Sequence, residues 1–239
     1  MIEKALRYLN SLAMPNVREI NGETYTDKPL TRVSHHPKAD PIILSTLTSL
    51  VEYIRSGVDR VPGVHLFVHV ESPTKVTVFS QLDADREREN LAVASPQIPF
   101  FEFNQFIDHE RFCIGLQSKF LDICDRALLL KFAGTVESGS VAEYGDDGIT
   151  QKATVKVGIA SKEACIVPNP VELAPYRTFA EVEQPSSSFV FRMKQDRGGE
   201  ITCGLFEADG GAWRCDATAY VKEFLAEALR DIPELFVIS

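Results

Sequence analysis

The chain opens with apolar residues at helical steps. Ile2, Ala5, Leu6, Leu9 and Leu12 recur every three or four positions, which predicts a short amphipathic helix stopped by Met14-Pro15-Asn16. Asn21-Gly22, set between residues 17–20 and 23–26, is a type I′ hairpin signal. Residues 29–41 are polar, carry Pro29, Pro37 and Pro41, and read as an extended arm or linker. The next stripe, Ile43, Leu44, Leu47, Leu50, Val51 and Ile54, predicts a helix with Asp40 as its cap, Pro41 in its first turn and Gly57 at its end. The period then changes to two: Val64, Leu66, Val68 and Val70 alternate with His65, Phe67 and His69. With Lys75–Ser80 after Ser72-Pro73-Thr74, this predicts a hairpin of two half-buried strands.

Residues 82–90 are highly charged and read as a solvated loop or helical turn. From Asn104 to Phe132 the spacing is helical again, as two helices broken near Ile114-Gly115 or Ser118, with Gly134 as a C-cap. A β-rich half follows. Asp146-Asp147-Gly148 reads as a turn, Ile149 to Val157 alternates, and two apolar strands, Phe189–Met193 and Ile201–Phe206, flank Asp196-Arg197-Gly198-Gly199. A last helix starts near Trp213 or Asp216 with Ala217, Tyr220, Val221, Phe224, Leu225, Ala228 and Leu229 on one side. Leu235-Phe236-Val237-Ile238 then reads as a strand that pairs into a sheet, in this subunit or in a neighbour's.

Strands and helices run in blocks without βαβ alternation, so the expected class is α+β. Its sheets are mixed and mainly antiparallel, with a mid-chain helical segment and a C-terminal amphipathic helix followed by a terminal strand. The expected division is 1–37 (helix, hairpin and arm) and 38–239 (the α+β domain).

Composition changes the picture in two ways. Hydrophobic residues are 44% and charged residues 25% of the chain, ordinary values for a globular protein. Thirty-four acids against 25 Lys and Arg leave a net charge of −9, which disfavours bulk binding to a nucleic-acid backbone. The first residues carry charges and lack an uninterrupted apolar core, and no later stretch approaches a membrane span, so the expected place is the cytoplasm without membrane contact. The five cysteines, Cys113, Cys124, Cys165, Cys203 and Cys215, form neither CxxC nor a zinc-finger spacing, and are expected to be reduced core thiols.

Several constellations could carry chemistry, and each has a plainer reading. His65 and His69 would sit on one face of a strand about 13 Å apart at ~3.3 Å per residue, too far to share an ion. His35-His36 falls in the polar linker. His109, beside Asp108 and Glu110, is a candidate general base, against a charged trio on a helix's outer face. Asp83 and Asp85, with Glu87 and Glu89, are candidate magnesium ligands, against a surface neutralised by Arg86 and Arg88. Glu207-Ala208-Asp209-Gly210-Gly211-Ala212-Trp213 is a candidate anion loop, but its two acids repel phosphate and its glycines suit a structural turn with Trp213 as a core anchor. Phe100, Phe101, Phe103 and Phe106 lack the interleaved basic residues of a base-stacking platform, so a core or a subunit contact suits them better. No catalytic, cofactor-binding or metal-ligating residue is assigned, and no cofactor is expected.

Blocks at Leu82–Arg86, Phe106–Glu110, Val171–Phe179, Glu181–Pro185 and Leu205–Trp213 resemble the YfdQ-like family of phage and prophage proteins. The resemblance runs from about residue 38 onward, and the last two blocks are its specific ones. The family is a domain of unknown function found in tailed-phage genomes, often near early replication and recombination genes, and it supplies no catalytic residues to carry over. The resemblance implies a phage or prophage origin and expression in the bacterial cytoplasm.

The leading expectation is a non-catalytic phage protein acting as a homo-oligomer, as a ring or closed shell, through its Pro-rich arm and terminal strand. An accessory role in phage recombination or replication, an acidic inhibitor of a host defence protein, and an enzyme centred on His109 or on Asp83 and Asp85 are the alternatives.

Overall fold

A computed structural model describes residues 2–29, 38–138, 141–146, 151–157, 161–195 and 200–239. The chain divides into two units, Met1–Lys38 and Ala39–Ser239. The first holds α1 (Ile2–Ala13) and a hairpin of β1 (Val17–Ile20) and β2 (Glu23–Thr26). Asn21 and Gly22 take φ of 56° and 81°, the paired left-handed conformations that a type I′ turn demands. At the open end of the hairpin, the Asn16 N–H donates to the Asp27 carboxylate at 2.7 Å. On α1, Ile2, Leu6 and Leu9 of the apolar stripe are 77%, 60% and 61% exposed.

The second unit runs β3 (Ile42–Leu44), α2 (Leu47–Ser56), β4 (Leu66–Ser72), β5 (Lys75–Ser80), β6 (Asn90–Ala94), β7 (Ile107–Asp108), α3 (His109–Lys119) and α4 (Arg126–Ser138). It continues with β8 (Val141–Asp146), β9 (Gln151–Val157), β10 (Ser161–Ile166), β11 (Val171–Leu173), β12 (Ser187–Gln195), β13 (Ile201–Glu207), α5 (Trp213–Ala228) and β14 (Leu235–Ile238). This is an α+β fold with mostly antiparallel sheets, a C-terminal helix and a terminal strand.

Three sheets organise the unit. The five-stranded one has the order β14-β4-β5-β6-β3, with β14 parallel to β4 and β3 parallel to β6. Along β4 and β5 the pleat sends Val68, Val70, Val76 and Val78 inward, where α2 and α5 bring Leu47, Leu50, Ile54, Val221 and Leu225. Each such buried side chain contributes roughly 1.5–3 kcal/mol. The second sheet, β11-β12-β13-β7, carries α3 and α4 on a core of Phe112, Leu116, Phe132, Phe189, Phe191 and Leu205. Gly204 lets β13 pass close to the connector before β7: a Cβ there would lie 2.8 Å from the Gln105 carbonyl oxygen. The third sheet, β10-β9-β8, is an antiparallel meander.

Several expectations need correction. Asp40 and Pro41 do not start a helix. Residues 42–44 form a strand held by β6, and α2 begins after Thr46, whose hydroxyl accepts from Ser49 N–H at 3.1 Å. Pairing with a distant strand overrides the helical stripe at Ile43 and Leu44. Gly57 does close α2, at φ 63°. Asn104 to Phe132 is not helical throughout, since Ile107–Asp108 is a strand edge and residues 120–125 separate α3 from α4. Gly134 lies inside α4, which continues to Ser138. Strand β6 had no counterpart in the sequence reading. Residues 147–148, His35-His36 and Asp196–Gly199 lie outside the described residues.

The cysteines are also less buried than expected. Cys203 is buried and Cys113 half-buried, but Cys124 and Cys215 are exposed, and all four are free thiols. The Cys165 side chain lies outside the described ones. Among the described residues no helix is long and apolar enough to cross a membrane.

Candidate functional site

The sequence candidates scatter, and most turn out to serve the fold. His109 is not on an outer face. It is 6% exposed at the start of α3, with Nε2 3.1 Å from the Ala133 carbonyl oxygen of α4. A carbonyl oxygen can only accept, so Nε2 carries the proton. The Cys113 Sγ, one turn along α3, lies 3.7 Å from the same nitrogen. This is a thiol–imidazole contact that sequence reasoning missed, although the i,i+4 spacing was there to find. With Nε2 donating to the carbonyl, its lone pair cannot take the thiol proton, so the pair lacks the polarity of a nucleophile and its base. Asp108 caps α3 through Arg111 N–H at 3.0 Å, and Glu110 is exposed.

Asp83 is a loop organiser. Its Oδ1 accepts from the N–H groups of Asp85 (2.9 Å) and Glu87 (2.8 Å), closing a tight turn in which Arg86 takes φ 60°. Among the described residues no set of three His, Cys, Asp or Glu side chains is placed to hold a metal ion. The Asp209 carboxylate sits in the turn before α5, accepting from Gly211 N–H (2.9 Å) and Trp213 N–H (3.2 Å), so a carboxylate already occupies the anion position at that helix start.

The most elaborate side-chain cluster centres on Arg177, which no sequence signal singled out. Its guanidinium is enclosed by three aromatic rings, Trp213, Phe189 and Phe103, with Cζ 4.2, 5.3 and 5.7 Å from their centroids. Nη1 donates to Glu207 at 3.0 Å and Nη2 to the Ser187 hydroxyl. Burial lowers the Arg177 pKa to about 10, with Glu207 and Asp209 pulling it back up. Arg177 Nε and Trp213 Nε1 are buried without a hydrogen-bond partner. The connector that carries Arg177 is stapled by Gln184, whose Oε1 accepts from the N–H groups of Arg177 and Thr178 while its Nε2 donates to Phe179 O. Residues far apart in the sequence, Phe103, Ser187, Phe189, Glu207 and Trp213, thus meet around one guanidinium.

A second feature is the outer face of the five-stranded sheet. Phe236, Phe67 and Phe79 sit in register on β14, β4 and β5 and stack side by side at 5.6 Å. His65 leans on Phe236 and His69 meets Phe79 edge-on, so both histidines serve ring packing on this face. Arg88 lies over Phe79 and Phe67, 5.0 and 5.6 Å from their centroids. The rings turn their faces to each other and to Arg88, which leaves little open π-surface for a nucleobase. The row ends at the sheet margin, where Phe236 is 49% and Ile238 39% exposed; at the opposite margin Ile43 of β3 is 72% exposed.

The mid-chain phenylalanines divide their roles. Phe101 and Phe103 join the second core, Phe106 packs on Phe206, and Phe100 is exposed. Near α2, a cleft of about 510 Å³ collects Asp40, Asp59 and Glu89 around Tyr53. The Tyr53 hydroxyl donates to Asp59 at 2.8 Å, and burial, then that carboxylate, push its pKa up to about 12.

No family model, no curated protein and no solved structure matches this chain.

Proposed function

We propose that this chain is a non-catalytic bacteriophage or prophage protein that works in the bacterial cytoplasm as a homo-oligomer, with the margins of its five-stranded sheet as the joint. The phage origin rests on the sequence blocks described above. The assembly rests on one observation: β14 is an edge strand of four consecutive apolar residues, Leu235-Phe236-Val237-Ile238, with no charge, proline or bulge along it. Unguarded edges of this kind are templates for strand addition, and proteins that stay single normally blunt them.

The terminal strand pairs with β4 of its own subunit, so it does not cross to a neighbour; its outward edge is what a second copy would meet. The far margin, β3, is also apolar, and β14 and β3 run in the same direction across the sheet. Joining β14 of one copy to β3 of the next is therefore a head-to-tail parallel contact, the heterologous type that forms a ring where its rotation closes and an open filament where it does not. Light scattering after size exclusion, at micromolar concentration, tests this reading. The wild-type chain should run as a closed oligomer, and Ile238→Lys and Ile43→Lys should each reduce it to monomer. A wild-type chain that runs as a strict monomer would refute it.

A further inference from the structure

A cleft of about 390 Å³ opens where the start of α2, the connector after β6 and the Tyr176–Glu181 connector meet, within the range of about 300–1,000 Å³ common for small-ligand sites. Pro96, Pro99 and Ala180 form its apolar backing. Its polar lining adds the Ser45 hydroxyl, the Gln97 amide, the Tyr176 phenol and the Glu181 carboxylate. Among the described residues, no protein group bonds the Ser45 hydroxyl, the Gln97 amide or the Tyr176 phenol. Two other lining hydroxyls are committed: Thr46 caps α2, and Thr178 donates to Pro73 O at 2.6 Å.

Glu181 decides the chemistry. Its Oε1 accepts from Thr48 N–H at 3.1 Å, in the first turn of α2, which fixes the carboxylate and places a negative charge where the helix dipole favours one. The other oxygen remains for a ligand. An anion is disfavoured because the helix start already holds Glu181 and, among the described residues, no Lys or Arg lines the cleft. A single carboxylate is too few ligands for a cation cage. An apolar molecule would leave the hydroxyls and the amide unpaired. A small molecule with several hydroxyl donors and an apolar flank would use every group of this lining, whereas an organic ammonium would draw mainly on Glu181.

We propose that this cleft binds a polyhydroxylated ligand of the sugar class, with Glu181 accepting from adjacent hydroxyls, Ser45, Gln97 and Tyr176 completing the polar contacts, and the two prolines lying against the ring carbons. The site is independent of the assembly reading and stands or falls apart from it.

The test is saturation-transfer NMR on the full chain with D-glucose, D-ribose and N-acetyl-D-glucosamine, with ethanolamine and inorganic phosphate as comparison probes. At least one sugar should receive saturation with a millimolar dissociation constant. Glu181→Gln should weaken that sugar about tenfold, the scale of one hydrogen bond to a charged group. The Gln oxygen still accepts from Thr48 N–H, so an unchanged melting temperature verifies the fold. Tyr176→Phe and Ser45→Ala, which leave α2's cap alone, should each weaken binding several-fold and carry the test should Glu181→Gln fail to fold. Three outcomes overturn the proposal: silence from all three sugars, sugar binding indifferent to every variant that folds, or stronger binding of ethanolamine or phosphate than of any sugar.

Discussion

Replacing Arg177 with methionine removes a buried charge while keeping an unbranched stem against Trp213, Phe189 and Phe103. Two opposing effects set the outcome. The bond from Nη1 to Glu207, at 3.0 Å, is a charge-assisted one worth about 1.5–3 kcal/mol, and its loss strands a carboxylate only 26% exposed. Against this, the depressed Arg177 pKa of about 10 says that the fold disfavours the guanidinium's charge more than Glu207 compensates it. Removing one partner of a buried pair is therefore costly, whereas removing both charges is not. Arg177→Met should destabilise by about 2–3 kcal/mol, below the usual ~3–5 for breaking a buried pair because Glu207 keeps some water and its bond from Asn104. That corresponds to a fall in Tm of about 4–12 °C at ~2–4 °C per kcal/mol. Arg177→Met with Glu207→Gln should return to within about 1 kcal/mol of wild type. Trp213, the only tryptophan, lies against the guanidinium, so its fluorescence in urea titrations reports the transition directly. The reasoning fails if the single variant is as stable as wild type, or if the double variant is no better than the single one.

Two further outcomes follow from the site chemistry. Brief alkylation at about pH 8, read by peptide mass spectrometry, should modify exposed Cys215 and leave Cys203 untouched until the chain unfolds, because burial pushes the Cys203 thiol up to about 12. A raised folded value also means that the stability this thiol contributes is complete below its ordinary value of 9.0 and is lost as pH climbs towards about 12; rapid labelling of Cys203 in the native protein at about pH 8 would contradict both. Glu71 moves in the opposite sense. The Lys75 ammonium first, and the Thr77 hydroxyl second, hold its carboxyl below the ordinary carboxylate value, so its contribution is present at neutral pH and lost as pH falls through the folded value. The difference in Tm between wild type and Glu71→Gln should shrink between pH 7 and about pH 3; a difference that persists unchanged in acid would sink this assignment.

Elements whose signal is local were legible in the sequence. The Asn21-Gly22 turn, the alternation in β4 and β5, Gly57 and the stripe of α5 each carry their instruction within a few residues. Elements that depend on distant partners were not. Ile43 and Leu44 suit a helix stripe as well as a strand, and the partner that decides, Ala92–Ala94, gives no hint at residue 43. His109 looked exposed because Asp108 and Glu110 flank it, but successive helix residues point about 100° apart, so charged neighbours say little about the residue between them. Arg177 was the least readable. Its enclosure is assembled by rings at positions 103, 189 and 213, and a lone arginine in a mixed segment is compositionally ordinary. The clefts are likewise made by connectors that meet only after folding.

The parallel pairing of β14 with β4 also bears on biosynthesis. On the ribosome, residues 66–72 emerge long before residues 235–238, and until then β4 has one flank with no partner from its own chain. A nascent or prematurely terminated polypeptide would present that flank, with Phe67 beside it, to any extended segment nearby. Nonsense mutations before codon 235 should therefore yield insoluble fragments rather than shorter working proteins.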